Sequence, residues 1–226
     1  AHVEGNIYLT AADPARARVA LDRAVGAWHR AYGAEHPNLT ATLAMLGVAE
    51  LNLGSADVAY RHLSEAAKLV ERDLGAKHPE LAGSLVNLAL VEAARGAYRD
   101  AAAHIDRGIQ IQLAAQGPNH PLVVHSRLNR AQVAVALGDQ VTADRELDEA
   151  YRIATQTYGP QHTLTVLLDL ASGEFRARTG RGDRARDHAR RALDAMADID
   201  HGPRALGEAT FALAESARSD HAAAVA

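Results

Sequence analysis

Cysteine is absent from the 226 residues, which excludes disulfides and thiolate-held zinc. Aromatic residues are scarce, at 4%. No apolar run approaches the roughly 20 residues that span a bilayer. No stretch alternates apolar and polar residues over several positions, so strands are not expected. Neither sign of charge dominates: Lys and Arg number 24 against 28 Asp and Glu, a net charge of −4. Nothing therefore pulls the whole chain toward nucleic acid or an anionic membrane. No signal peptide is legible, and the chain opens at "AHVEG" without Met, as an excised fragment would. What the chain has in excess is alanine, with fifty copies. Alanine is the best helix former and lets helices approach closely. A soluble, cytoplasmic, all-α protein is the expectation.

The few glycines and prolines are placed with a strict period. His36, His78, His120 and His162 recur every 42 residues, each three residues after a glycine: Gly33, Gly75, Gly117 and Gly159. A second series, Gly54, Gly96, Gly138 and Gly180, keeps the same step. Five residues beyond each of these stands Ala59, Ala101, Ala143 or Ala185, and one period back stands Ala17. A fixed period in this range marks stacked supersecondary units. Pro37, Pro79 and Pro121 suit the first position of a helix. The second glycine series suits its C-terminus. Each unit is then a hairpin of about 16 plus about 18 residues, roughly 24 and 27 Å long at 1.5 Å per residue. A histidine repeated in one context reads as a turn element. The competing reading is a ligand or catalyst. Rings held one helix layer apart, roughly 10 Å, are too far apart to share a metal whose nitrogen ligands lie near 2 Å.

The pattern resembles the tetratricopeptide repeat. It rests on small Gly47, Ala89, Ala131 and Gly173, the alanines just named, apolar Leu63, Ile105 and Leu147, and small Ala66, Gly108, Ala150 and Ala192. The 42-residue step with "LG..HP" between units is similar to the kinesin-light-chain subtype, over residues 12–198. Departures are Ser172, Ala189 and Arg130, where bulky apolar residues are usual. The resemblance implies a right-handed α-solenoid of antiparallel hairpins with about 11 helices. Residues 1–226 would form one domain, with units near 1–36 (partial), 37–78, 79–120, 121–162 and 163–204, then a closing helix and tail over 205–226. It also implies a non-catalytic module that binds a peptide or protein, as part of a larger regulatory or signalling protein. The alternative is a peptide-sensing domain of a transcriptional regulator, kinase or NTPase.

Two stripes run along each first helix. One is small or apolar in every unit and is core: Thr40, Ala44, Gly47 and Leu51, then Ala82, Val86, Ala89 and Ala93, then Val124, Leu128, Ala131 and Val135, then Val166, Leu170, Gly173 and Ala177. The neighbouring stripe is chemically mixed. The resemblance places it on an inner, concave face, which gives the candidate peptide-binding residues Met45, Val48, Asn52, Asn87, Leu90, His125, Asn129, Gln132, Glu174 and Arg178. Asn87 and Asn129 stand where related repeats carry a peptide-clamping asparagine, and an amide both donates and accepts. The bland reading is ordinary surface.

The rival surface is the arginine-rich run at 175–191, seven arginines against two aspartates. It reads as a phosphate-attracting face or as a solvated helix with pairs such as Asp183–Arg186 and Asp187–Arg191. Glu50, Glu92, Asp148 and Glu149 look scattered. No nucleophile, base and oxyanion site come together. No catalytic residue, metal or cofactor is expected, and the expected partner is a protein or peptide. Nucleic acid and membrane are not, and contact with other domains of a longer chain stays open.

Overall fold

The computed structural model describes residues 1–33 and 37–196. His36 and the expected closing helix after 204 lie outside the described residues. Ten helices are described: α1 His2–Thr10, α2 Pro14–Tyr32, α3 Pro37–Asn52, α4 Ala56–Leu74, α5 Pro79–Ala94, α6 Tyr98–Gln116, α7 Pro121–Leu137, α8 Gln140–Tyr158, α9 Thr163–Arg178 and α10 Gly182–Met196. No strand occurs among the described residues. First helices run 16 or 17 residues, and α4, α6 and α8 run 19 each.

The helices fall into two compact units, residues 1–117 and 118 onward. In the first, each helix from α1 to α6 packs on the next; in the second, α7 to α10 do the same. The alanine positions explain how. Ala17, Ala59, Ala101, Ala143 and Ala185 are all 0% exposed, so a neighbouring helix rests directly on each. Gly47 shows the same economy, since a Cβ built there would lie 2.5 Å from Leu63 Cγ. Around these contacts larger side chains close the core. One cluster joins Ala59, Leu63, Ala67, Leu88 and Val91, and in the second unit another joins Val124, Ile153, Ala154, Leu164 and Leu168.

The two turns of each repeat use different devices. At the hairpin turn the chain reverses through a left-handed glycine, as at Gly138 with φ 75° and ψ 9°. The N–H of the residue after that glycine reaches back to a carbonyl five residues earlier: Ser55 to Glu50, Ala97 to Glu92, Asp139 to Ala134 and Arg181 to Arg176, at 2.8–2.9 Å. That bond satisfies a carbonyl the helix leaves open.

Between repeats the glycine of the first series is more demanding. Gly75 has φ 95° and ψ 162°, a region open almost solely to glycine. Its carbonyl accepts the His78 N–H at 3.2 Å. His78 then caps α5, with extended backbone and Nδ1 accepting from the Glu80 N–H at 3.3 Å. His120 caps α7 on Leu122, and His162 caps α9 on Leu164, in the same way. The histidine question is settled for these three: each is an N-cap, held with Nδ1 unprotonated because it must accept.

Two outcomes follow. His78→Ala should cost about 1 kcal/mol in denaturant unfolding, the usual value of a lost cap, and His78→Asn should restore most of it. Ala143→Leu should cost about 1–3 kcal/mol by overpacking, and an unchanged unfolding midpoint would contradict the contact.

Candidate functional site: an exposed stripe and a cavity on the first helices

The residues expected to face a ligand are all on first helices, and none is fully buried. In the first unit Met45 and Val48 are half-buried on α3, and Asn52 is exposed at its end. Asn87 is half-buried on α5 and Leu90 is exposed. Met45 also leans on the Leu21–Leu46 core, so it serves packing as well as surface. In the second unit His125 and Gln132 are exposed and Asn129 half-buried on α7, while Glu174 is half-buried and Arg178 exposed on α9. Among the described residues neither the Asn87 nor the Asn129 amide has a hydrogen-bond partner. Both keep their full donor and acceptor capacity for something else.

Three of the ten candidates are brought together. Gln132, Glu174 and Arg178 stand around a cavity of about 250 Å³ between α7 and α9, floored by Leu128, Ala131, Val135, Leu147, Ala171 and Phe175. His125 and Asn129 are on the same helix but outside its wall. The core reading of Val135 needs correction, because it is 43% exposed and faces this cavity. It lies in the last turn of α7. The rim is polar but balanced: Arg178 reaches Glu174 at 2.7 Å across one helical turn. Arg181 lies over the Phe175 ring at 5.1 Å and pairs with Asp144.

Charged residues are also buried inside the hairpins, which sequence reading missed. Glu92 is 3% exposed and meets His104 at 2.8 Å. Arg176 is 1% exposed and reaches Asp148 at 2.5 Å and Asp144 at 3.3 Å. Glu149 is held below its ordinary pKa by its hydrogen bonds from Arg152. Glu92, Asp148 and Glu149 are thus partnered, not scattered. Arg191 pairs with Asp169, not with Asp187 as its helical spacing suggests; the Asp183 side chain lies outside the described residues. A signal was available. Leu43 and Leu85 become Arg127 and Asp169 at the same repeat position, and a charge in a leucine's place needs a buried partner.

Among the described residues no group of three His, Asp or Glu could hold a metal ion, and no helix is long and apolar enough to cross a membrane.

Residues 39–114 match the tetratricopeptide-repeat family pattern. No curated protein sequence matches the chain. Among solved structures, repeats of a Podosopora anserina protein assigned as a kinesin light chain superpose with TM-score 0.75 at 19% identity, covering 89% of this chain and 95% of that one. BtubC (BKLC) of P. vanneervenii gives 0.73 at 19%, covering 93% and 82%. RapI in its apo form gives 0.68 at 12%, covering 87% of this chain and 53% of RapI. Residues 39–114 thus carry the tetratricopeptide-repeat pattern, and the described helices share the fold of these solved structures. In fold, the chain's 42-residue hairpins are similar to those of the kinesin-light-chain repeats.

The buried arginine sets an asymmetric expectation. Asp144→Ala with Asp148→Ala strands the Arg176 guanidinium and should cost about 3–5 kcal/mol, whereas Arg176→Met leaves two carboxylates that water can reach and should be near neutral. Thermal unfolding of both variants checks the order.

Proposed function

We propose that the chain is a non-catalytic interaction module that binds an extended peptide or protein segment on the exposed stripe that the first helices of each unit present. The carrying observation is the cavity between α7 and α9: an apolar floor ending at Phe175 beneath the polar rim of Gln132, Glu174 and Arg178. A concave apolar pocket with few polar groups is the usual form of a ligand site. Unpartnered Asn87 and Asn129 supply backbone-binding amides on α5 and α7. Tetratricopeptide repeats in general are protein-interaction scaffolds, and the match over 39–114 supports that class. The unbroken 42-residue step, His78 to His120 and Gly96 to Gly138, supports reading 1–226 as one run of repeats. A place in the cytoplasm, within a larger regulatory or signalling protein, completes the proposal. The rival surface is the outer face of α10, where Arg184 and Arg190 are exposed.

A photo-crosslinking side chain at Gln132 should capture a partner that the same group at Arg184 does not. Titrated with that partner, Asn87→Ala plus Asn129→Ala should weaken binding roughly tenfold, about 1.4 kcal/mol, and leave helicity intact. Arg184→Ala plus Arg190→Ala should change little. Loss of binding in the arginine variant alone would move the site to the outer face and sink this reading.

A further inference from the structure

The second unit contains a further cavity whose chemistry the groove does not use. Its logic is read from the repeat. A step of 42 places Asp169 where Arg127 stood, and His188 where Glu146 stood. In the α7–α8 hairpin, Glu146 is the buried carboxylate, with its side chain 7% exposed. It holds two guanidinium groups, one on each oxygen. Arg127 lies 2.5 Å from Oε2, and Arg145 lies 3.0 and 3.2 Å from Oε1.

In the α9–α10 hairpin the carboxylate has moved to α9. The Asp169 side chain is 3% exposed, and all its contacts fall on Oδ1. His188 Nδ1 stands at 2.8 Å, and Arg191 Nε and Nη2 at 3.2 and 3.1 Å. Burial works against the charge on Arg191, but Asp169 and Tyr151 outweigh it and hold its pKa above the ordinary value. Oδ2 has no hydrogen-bond partner among the described residues. The seat that Glu146 fills with a second cation is open in Asp169.

The Asp169 side chain also borders open space. Asp169 lines a cavity of about 250 Å³ with Tyr151, Pro160, Gln161, Arg191, Asp194 and Ala195. Asp194 is exposed and likewise has no partner among the described residues. Two carboxylates against one guanidinium leave the wall with one uncompensated negative charge. A buried carboxylate oxygen is a strong acceptor for a charged donor. The nearby low-dielectric wall strengthens that attraction.

We propose that this cavity binds a primary alkylammonium group. The ammonium donates to Asp169 Oδ2 and is neutralised jointly by Asp169 and Asp194. Its carbon stem lies along Tyr151, Pro160 and Ala195. An anion would meet two carboxylates there. A multivalent metal ion finds too few ligands. A second guanidinium would crowd the Arg191 plane, whereas a compact ammonium needs only one oxygen. The chemistry has two sources, a free small amine or the lysine side chain of a protein.

The test follows backbone amide resonances of the full chain while n-butylammonium chloride is added at physiological salt. Saturable shifts confined to Tyr151, Gln161, Asp169, Arg191, Asp194 and Ala195 are expected. The neutral isostere n-butanol should produce none of them. Asp194→Asn removes an exposed, unpaired charge, so it keeps the fold and should weaken binding at least fivefold. Asp169→Asn should abolish it. Equal shifts with n-butanol, unsaturable shifts at carboxylates across the chain, or unchanged affinity in Asp194→Asn would overturn the proposal. Putrescine and a short lysine-containing peptide, titrated in parallel, separate the two sources by which binds tighter.

Discussion

Close helix approach through a single small residue is the constraint on which everything else depends. A helix that presents alanine can be met by its neighbour at backbone distance, and the five alanines that recur at this contact have no exposed surface at all. Alanine itself buries little area, so it contributes geometry more than hydrophobic free energy. The energy comes from the leucines, isoleucines and valines that the close approach lets interlock around it. Within each unit a hairpin therefore buries its second face against the next hairpin, which is why stacking is needed at all.

That stacking sets what the turns must do. A hairpin turn reverses direction within a few residues, and a glycine with an ordinary C-cap suffices. The turn between repeats must also launch the next helix at a fixed angle. The strained glycine, the bond from its carbonyl to the histidine N–H, and the histidine ring capping the new helix act in one short segment. A shorter cap such as serine would satisfy the same N–H. The imidazole additionally fills space: His162 lies 4.8 Å from the Tyr158 ring of the preceding helix, so one side chain ties both helix ends together.

The periodicity made nearly all of the fold legible. The helix boundaries, hairpin lengths and alanine contacts are statements about spacing, and spacing is what a sequence displays directly. The role of the histidines was legible as a turn role but not as a cap, because histidine is an uncommon cap and only the extended backbone at 78, 120 and 162 reveals the ring's acceptor. Candidate site residues divide along the same line. Gln132, Glu174 and Arg178 converge because their stripe positions are adjacent across α7 and α9. The cavity floor was not legible, since Val135 sat in a stripe that reads as core and Phe175 in neither stripe. The buried pairs escaped for another reason. A charge such as Asp169 looks solvated in a one-dimensional string, and only packing shows that its neighbours exclude water.

The two units then differ in a way that bears on function. In the first, the hairpin interiors are largely apolar, with Glu92–His104 the buried pair the contacts define. In the second, Arg127, Glu146, Asp169 and Arg176 put charge into both hairpins. Such pairs add little net stability compared with apolar residues of the same size, so the second unit gives up packing for specific polar geometry. Natural cores seldom accept that exchange without compensation. Here the compensation is placement: two cavities with a polar rim and an apolar wall, one between α7 and α9 and one beside Asp169, lie in the unit whose interior carries the charge. Buried ion pairs fix side-chain positions that a fluid apolar contact leaves adjustable. A recognition surface built on α9 benefits from that rigidity, because binding then costs less side-chain ordering.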